Sequence, residues 1–405
     1  MNGKQPIDFS HGPLSGIRVL DLTNVIMGPF ATHVMADMGA DVIKIESPEG
    51  DSFRAYRPNR SEGMSGGFVH LNRNKRGIVL DLKSSTHREV LERLIRTADV
   101  VVHTLRPKAA EKLGLSYEQV RRFNPDIIYC GAYGFGEAGP YRDKAAYDDI
   151  IQAGSGLAAL HMFARGEPAF MPTVLCDKLS GQAIAYAVIA ALLQRERGGG
   201  GQAIEVPMFE TTAEFAFIEH LVGFAFEPPL GPPEYKRVVS PMRKPFKTSD
   251  GYMCLLPYSD RNWRDFFEFT GRLDLAQDTR FARLVERVAH IEFLYGVIEQ
   301  EASKRSNAEW IDFCDRVSIP CMPVLSLADL PNDAHMAAVG MFQTAEHPTE
   351  GAYKSIRRPV NFSGSAFKVR HHAPRLGQHT QEILAELQMD ADEIGTDPHE
   401  TSAAR

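Results

Sequence analysis

Cysteine is scarce in this chain of 405 residues, and its spacing offers no pairing. The five cysteines (Cys130, Cys176, Cys254, Cys314 and Cys321) are odd in number, widely scattered, and never form a CxxC. That excludes a disulfide framework and a thiolate zinc site, and a reducing, cytoplasmic setting is expected. Long apolar runs are missing too. The longest, Ala183–Leu193, reads as too short to span a bilayer, and the opening MNGKQPIDFSHGPL has no apolar leader segment. Positive charge is not in excess: the net charge is −7. This argues against non-specific binding to nucleic acid or to an acidic membrane, while leaving room for a local basic patch that holds phosphates.

Several catalytic signatures are also absent. GFGEAGP (134–140) lacks the Lys and Ser/Thr of a P-loop and is only a weak look-alike of a dinucleotide loop. HExxH and EF-hand patterns do not occur, so no metal site is expected. His371–His372 reads as solvated surface. Gly198–Gly201, following Arg195–Glu196–Arg197, reads as a helix stop and turn rather than a phosphate loop.

What is present is an alternation of strand and helix signals. Buried strands are predicted at 16–23, 41–46, 77–83, 98–105 and 126–135, with helices at 30–39, after Ser84–Ser85, and over 108–123. Residues 47–76 read as a loop rich in Arg and Gly. A β-α-β-α rhythm implies an α/β fold, Rossmann-like, with a mainly parallel sheet and helices on both faces. Ligands in such folds sit beyond the carboxyl ends of the strands. The rhythm breaks near residue 225. A Pro-rich crossover, EPPLGPPEY, follows, and then a smaller α+β domain.

The stretch AFMPTVLCDKLSGQAIAYAVIAALLQ (169–194) concentrates the chemistry. A strand-like piece is expected to end at Cys176, and Asp177 to stand at the mouth of a long apolar helix. One reading is a helix N-cap. The other is a nucleophile, held ionised by the helix dipole and shielded by Val174, Leu175 and Leu179.

Long ordered motifs decide between them. LSGIRVLDLTNVIMGPFATHVMADMGADVIKIESPEGD (14–51), NRNKRGIVLDLK (72–83), ADVVVHTLRP (98–107), KLGLSYEQVRRFNPDIIYCGAYGFGEAGPY (112–141) and AAYDDIIQAGSGL (145–157) resemble the class III coenzyme A transferases. IPCMPVLSLADL (319–330) fits as well. That family also includes α-methylacyl-CoA racemase. The resemblance implies that Asp177 attacks a donor thioester, giving an aspartyl anhydride and then an aspartyl-CoA thioester. CoA then passes to an acceptor acid without a tightly bound cofactor. It further implies CoA contacts at Leu80, Asp81, Leu82 and Lys83, at Thr104, Leu105 and Arg106, at Lys112, and at Ala145, Ala146, Tyr147 and Asp148. Ile26 and Met27 fall near the thioester. Lys83, Arg106 and Lys112 would supply cations at strand ends, with Arg54, Arg57 and Arg60 as further phosphate candidates. An interlocked, ring-like homodimer is implied, with residues 1–225 and 331–405 forming a large domain and 226–330 a small one.

Departures narrow the expected chemistry. Oxalate-using members carry Gln where this chain has Ile26, and a tetraglycine loop absent from the corresponding region here. An arginine that grips CoA in some members is Ser47 here, and another is Lys112. His103–Thr104 stands where Glu-Asn is usual. Racemases place a His where Tyr147 stands, and a phenol is a poor base at neutral pH. A transferase acting on small carboxylic or dicarboxylic acids is therefore favoured over a racemase or a non-catalytic CoA-binding protein. Arg142, Lys144, Arg237 and Arg243 are candidates for an acceptor's distal carboxylate.

Overall fold

The computed structural model describes residues 8–390, which fall into two compact units. The first comprises residues up to Ser155, Met171–Phe215 and the chain from Ala337 onward; the second comprises Gly156–Phe170 and Ala216–Met336.

The first unit is built on six strands: β1 (Arg18–Leu22), β2 (Asp41–Glu46), β3 (Lys75–Val79), β4 (Val100–His103), β5 (Ile128–Tyr133) and β6 (Gln202–Pro207). Their order is β3-β2-β1-β4-β5-β6, and every neighbouring pair is parallel. Val, Ile and Leu dominate the central strands because both faces are covered. In chain order the helices through residue 217 are α1 (Met27–Asp37), α2 (Gly66–Leu71), α3 (Ser85–Thr97), α4 (Pro107–Lys112), α5 (Tyr117–Phe123), α6 (Asp148–Gly154), α7 (His161–Arg165, in the second unit), α8 (Leu175–Gln194) and α9 (Met208–Phe217).

One face of the sheet carries an apolar core. Leu20, Ile43 and Ile78 pack there against Val90, Leu91, Leu94 and Ile95 of α3, Val120 of α5, and Ile383 and Leu384 of the returning helix Thr380–Glu386. Ridges of Val and Leu at helical spacing on α3 match that apolar stripe. On the other face, α1 packs against α8. Beneath α1 lies a buried polar cluster. Lys75 Nζ donates to Asp21 Oδ2 at 2.9 Å and to Thr32 Oγ1 at 2.8 Å, all fully buried. Lys75 and Lys44 hold the Asp21 carboxyl down at about 2 against the cost of its burial.

The sequence reading requires four corrections here. The loop before residue 76 contains α2 and already begins β3 at Lys75. The third strand ends at Val79, so Leu80–Lys83 is a turn and not strand. No strand runs into Cys176, which is the second residue of α8. By length and composition α8, continued through Gly199, is long and apolar enough to cross a membrane, against the expectation from its uninterrupted run. Half of that apolar stretch is buried in the unit, as in the core helix of a globular domain. Its end is set by Gly198, whose φ of 91° lies in the left-handed region.

The second unit has its own core. A three-stranded antiparallel sheet (Phe246–Lys247, Tyr252–Leu255 and Cys321–Pro323) packs with helices Asp260–Thr270, Ile291–Ala302 and Asn307–Val317. Trp310 and Phe266 stack at its centre.

Candidate active site

Asp177 is the third residue of α8 and lies in its first turn. The helix is capped by Val174, which offers no side-chain hydrogen bond, so the N-cap reading of Asp177 is set aside. Its backbone amide donates instead to Oδ1 of Asp148, at 3.0 Å. Asp148 opens α6 and is buried. The two acids therefore meet in a partly dry environment. Burial first, and the Asp148 charge second, push the Asp177 carboxyl up to about 7, opposed by the neighbouring Lys178. The expectation of a firmly ionised carboxylate is thus overturned. The dipole's pull at one helix end is outweighed by desolvation and a like charge.

Asp177 lines a cavity of about 220 Å³ formed within the first unit. Its walls come from the loops beyond four strands: Asn24–Met27 after β1, Thr104, Arg106 and Pro107 after β4, Gly134 and the 142–147 loop after β5, and Met208 after β6. β1 and β4 are the strands between which the sheet order reverses, the place where open α/β sheets leave a crevice. Two glycines permit the close approaches. A Cβ on Gly181, one turn beyond Asp177, would lie 2.7 Å from the carbonyl oxygen of Met27. Gly134 leaves room for Ala146, whose Cβ would otherwise be met at 2.2 Å.

The loop after β1 is held from below. Val25 has φ of 67°, an unfavourable conformation for a β-branched residue. Its amide donates to Asp51 Oδ1 at 3.0 Å, while Asp51 Oδ2 receives Lys44 Nζ at 3.0 Å. Lys44 Nζ also donates to Thr23 O at 2.8 Å. A fully buried ion pair thereby over-determines a strained wall of the cavity.

A buried acid with a raised pKa in the wall of a crevice suits nucleophilic chemistry, and comparison with known proteins fixes the class. The sequence model of CoA-transferase family III matches residues 14–380. The chain belongs to CoA-transferase family III. It is an enzyme of the CoA-transferase class. It is 33% identical over 384 residues to a succinate–glutarate CoA-transferase of Agrobacterium fabrum, covering 93% of this chain and 96% of that one. It is 30% identical to a formyl-CoA:oxalate CoA-transferase of Escherichia coli O157:H7, over 94% of this chain and 97% of that one. Among solved structures, a CaiB/BaiF family protein from Brucella suis aligns with a TM-score of 0.78 at 30% identity, covering 93% of this chain and all of that one.

Against this family III frame, the residues singled out in the sequence divide into groups. Ile26, Met27, Thr104, Arg106, Ala145, Ala146 and Tyr147 line the Asp177 cavity, and so do Arg142 and Lys144. Tyr147 is 74% exposed there. Asp148 lies behind the cavity wall, its two oxygens taken by Asp177 N and Gln152 Nε2. Leu80 is buried in the core, and Leu82 and Leu105 pack against it. Asp81 Oδ1 accepts the Lys83 amide, shaping the turn beyond β3. Lys112 occupies the last turn of α4, not a strand end. Arg54 is committed to Glu46 through two bonds of 2.7 and 2.6 Å, and Arg60 donates to Glu350 O. Arg237 and Arg243 belong to the second unit, where Arg237 lies over the ring of Tyr258.

The sequence reading missed Gln152, Tyr133 and Met208. Gln152 was findable, because it follows Asp148 by four residues and so shares its helix face. His103 shows why one departure is tolerated. It is buried between Tyr129 and Tyr133, and desolvation pushes its pKa down to about 4, keeping the ring neutral.

Proposed function

We propose that this CoA-transferase moves CoA from an acyl-CoA donor to a small carboxylic or dicarboxylic acid, with Asp177 as the acyl acceptor. The supporting observation is the Asp177 carboxyl itself, set in the wall of the crevice beyond β1 and β4 with a pKa of about 7. A carboxylate with raised basicity is a stronger nucleophile, and half of it is ionised near neutrality.

The transfer proceeds in four displacements. Asp177 attacks the thioester carbonyl, and the C–S bond breaks to release CoA thiolate and leave a mixed anhydride. The thiolate attacks the aspartyl carbonyl, frees the donor acid, and forms an aspartyl-CoA thioester. The acceptor carboxylate attacks that thioester, releasing the thiolate and forming a second anhydride. The thiolate then takes the acceptor's acyl group, and Asp177 is returned as a carboxylate. Each step exchanges one acyl bond for another, so the free energy of the thioester is kept within the cycle. Arg106, Arg142 and Lys144 give the cavity three cations suited to CoA phosphates or an acceptor's distal carboxylate. The succinate–glutarate relative makes dicarboxylates the first acids to try. The working form is a cytoplasmic homodimer, a reading supported by the family resemblance.

Incubation with succinyl-CoA and a panel of acids, followed by mass spectrometry of the products, tests the transfer. Hydroxylamine trapping tests the intermediate. A hydroxamate on the peptide bearing Asp177, formed only with acyl-CoA present, is expected. Turnover with no modification at Asp177 would refute the role, and loss of chirality from a 2-methylacyl-CoA would point to the racemase reaction instead.

A further inference from the structure

Gln152 is fully buried on α6, and both ends of its amide are engaged. Nε2 donates to Asp148 Oδ2 at 2.6 Å and to Thr173 O at 3.4 Å. Oε1 accepts the amide of Met171 at 2.8 Å. The remaining oxygen of Asp148 receives the amide of Asp177. A single side chain thus ties the entry to α8 to the carboxylate that stands behind Asp177. The neutral amide suits this place, because it donates to an acid and accepts from a backbone N–H at once.

We infer that Gln152 is a positioning residue for CoA transfer: it fixes the Asp148 carboxylate against the amide of Asp177 and anchors the Met171–Thr173 segment from which the nucleophile's helix starts. The inference rests on the reading of Asp177 as acyl acceptor. Its consequence is electrostatic as well as geometric. With one Asp148 oxygen held by Gln152 and the other by a backbone amide, the Asp148 carboxylate is fixed beside Asp177, where its charge adds to burial in raising the Asp177 carboxyl. Without the Gln152 donor, the Asp148 carboxylate is free to turn away from Asp177, and Asp177 ionises at lower pH. The other ionisable groups around Asp177 are Lys178 and Cys176 on α8, and Arg106, Arg142, Lys144, Tyr133 and Tyr147 on the cavity walls. α1 presents Met27 there, which does not titrate.

Gln152→Leu and Gln152→Glu test this with opposite signs. The Leu variant removes the donor, so the acid limb of the kcat/KM profile should move down by about half a pH unit or more. The Glu variant sets a third carboxylate beside the pair, so the limb should move up by a similar amount. If both variants keep the wild-type limb and share only a loss of thermal stability, Gln152 serves packing alone and the inference is overturned. Thermal stability against pH gives the same readout without turnover, taken as the difference between each protein and its Asp177→Asn counterpart. If Asp177→Ala still transfers CoA at the native rate, the acyl-acceptor reading fails, whatever these stability curves show.

Discussion

At the scale of single residues, the Asp177 carboxyl is held in a state that costs the fold something and, in the proposed mechanism, serves reactivity. Its pKa stands near 7 against an ordinary 3.8, so the folded chain binds this proton more tightly than the unfolded one. Stability from this group is therefore fully present below about pH 4, declines as pH rises toward 7, and stays lost above. Asp177→Asn removes the charge while keeping the shape. It should abolish transfer, by roughly 1000-fold or more, and at pH 8 should raise stability by about 2 kcal/mol after discounting for solvent screening. Denaturant titration of both proteins at pH 5 and pH 8 checks the sign: the gap should open on the alkaline side. An Asn variant less stable than wild type at pH 8 contradicts the account of an acid raised by burial and the Asp148 charge. In the wild type, single-turnover acylation should rise with pH along a limb centred near 7.

At the scale of elements, the crevice depends on how closely α8 approaches α1, and Gly181 sets that distance. A side chain there meets the Met27 carbonyl and the ring of Phe30 on α1. Gly181→Val should therefore push the helices apart, at a cost of about 1–3 kcal/mol despite removing a helix glycine. Asp177 moves with its helix, so kcat should fall by more than the lost stability explains, measured at a temperature where the variant is fully folded. A Val variant with native kcat shows that the close crossing does not position the acid. The same elements show what a sequence can and cannot disclose. The parallel sheet was legible because strands buried on both faces read as continuous Val, Ile and Leu runs. The end of β3 was not, since Leu80 and Leu82 keep the apolar pattern through a turn and pack into the core from it. The start of α8 was misread because TVLCD carries β-branched and apolar residues that suit a strand, while its helix is fixed by tertiary bonds from Asp148 and Gln152. Asp177, Ile26, Arg106 and Tyr147 could be named from motifs alone. The strain at Val25 and the Lys44–Asp51 pair beneath it could not, because they form only when the fold brings Val25, Lys44 and Asp51 together.

At the scale of the whole molecule, the expected assembly carries a mechanical consequence that ordinary dimers lack. On α8, Tyr186 and Leu193 remain 65% and 51% exposed in the single chain, on a helix otherwise rich in buried apolar residues. Apolar surface of that kind marks a place for a partner, and a second copy of the chain is the occupant to test. If the two chains thread one another as closed rings, they cannot part by sliding surfaces away from each other. At least one chain must open, so exchange of subunits becomes limited by unfolding rather than by the strength of the interface. Two differently tagged preparations mixed under native conditions should then form no mixed dimer over days, while joint denaturation and refolding should yield mixed dimers freely. Sedimentation should give one species at twice the 45.0 kDa of the chain, with no dissociation on dilution. Mixed dimers appearing within minutes at neutral pH, or a folded monomer on dilution, would show an ordinary interface or none, and the interlocked arrangement would have to be given up while the chemistry at Asp177 stood unaffected.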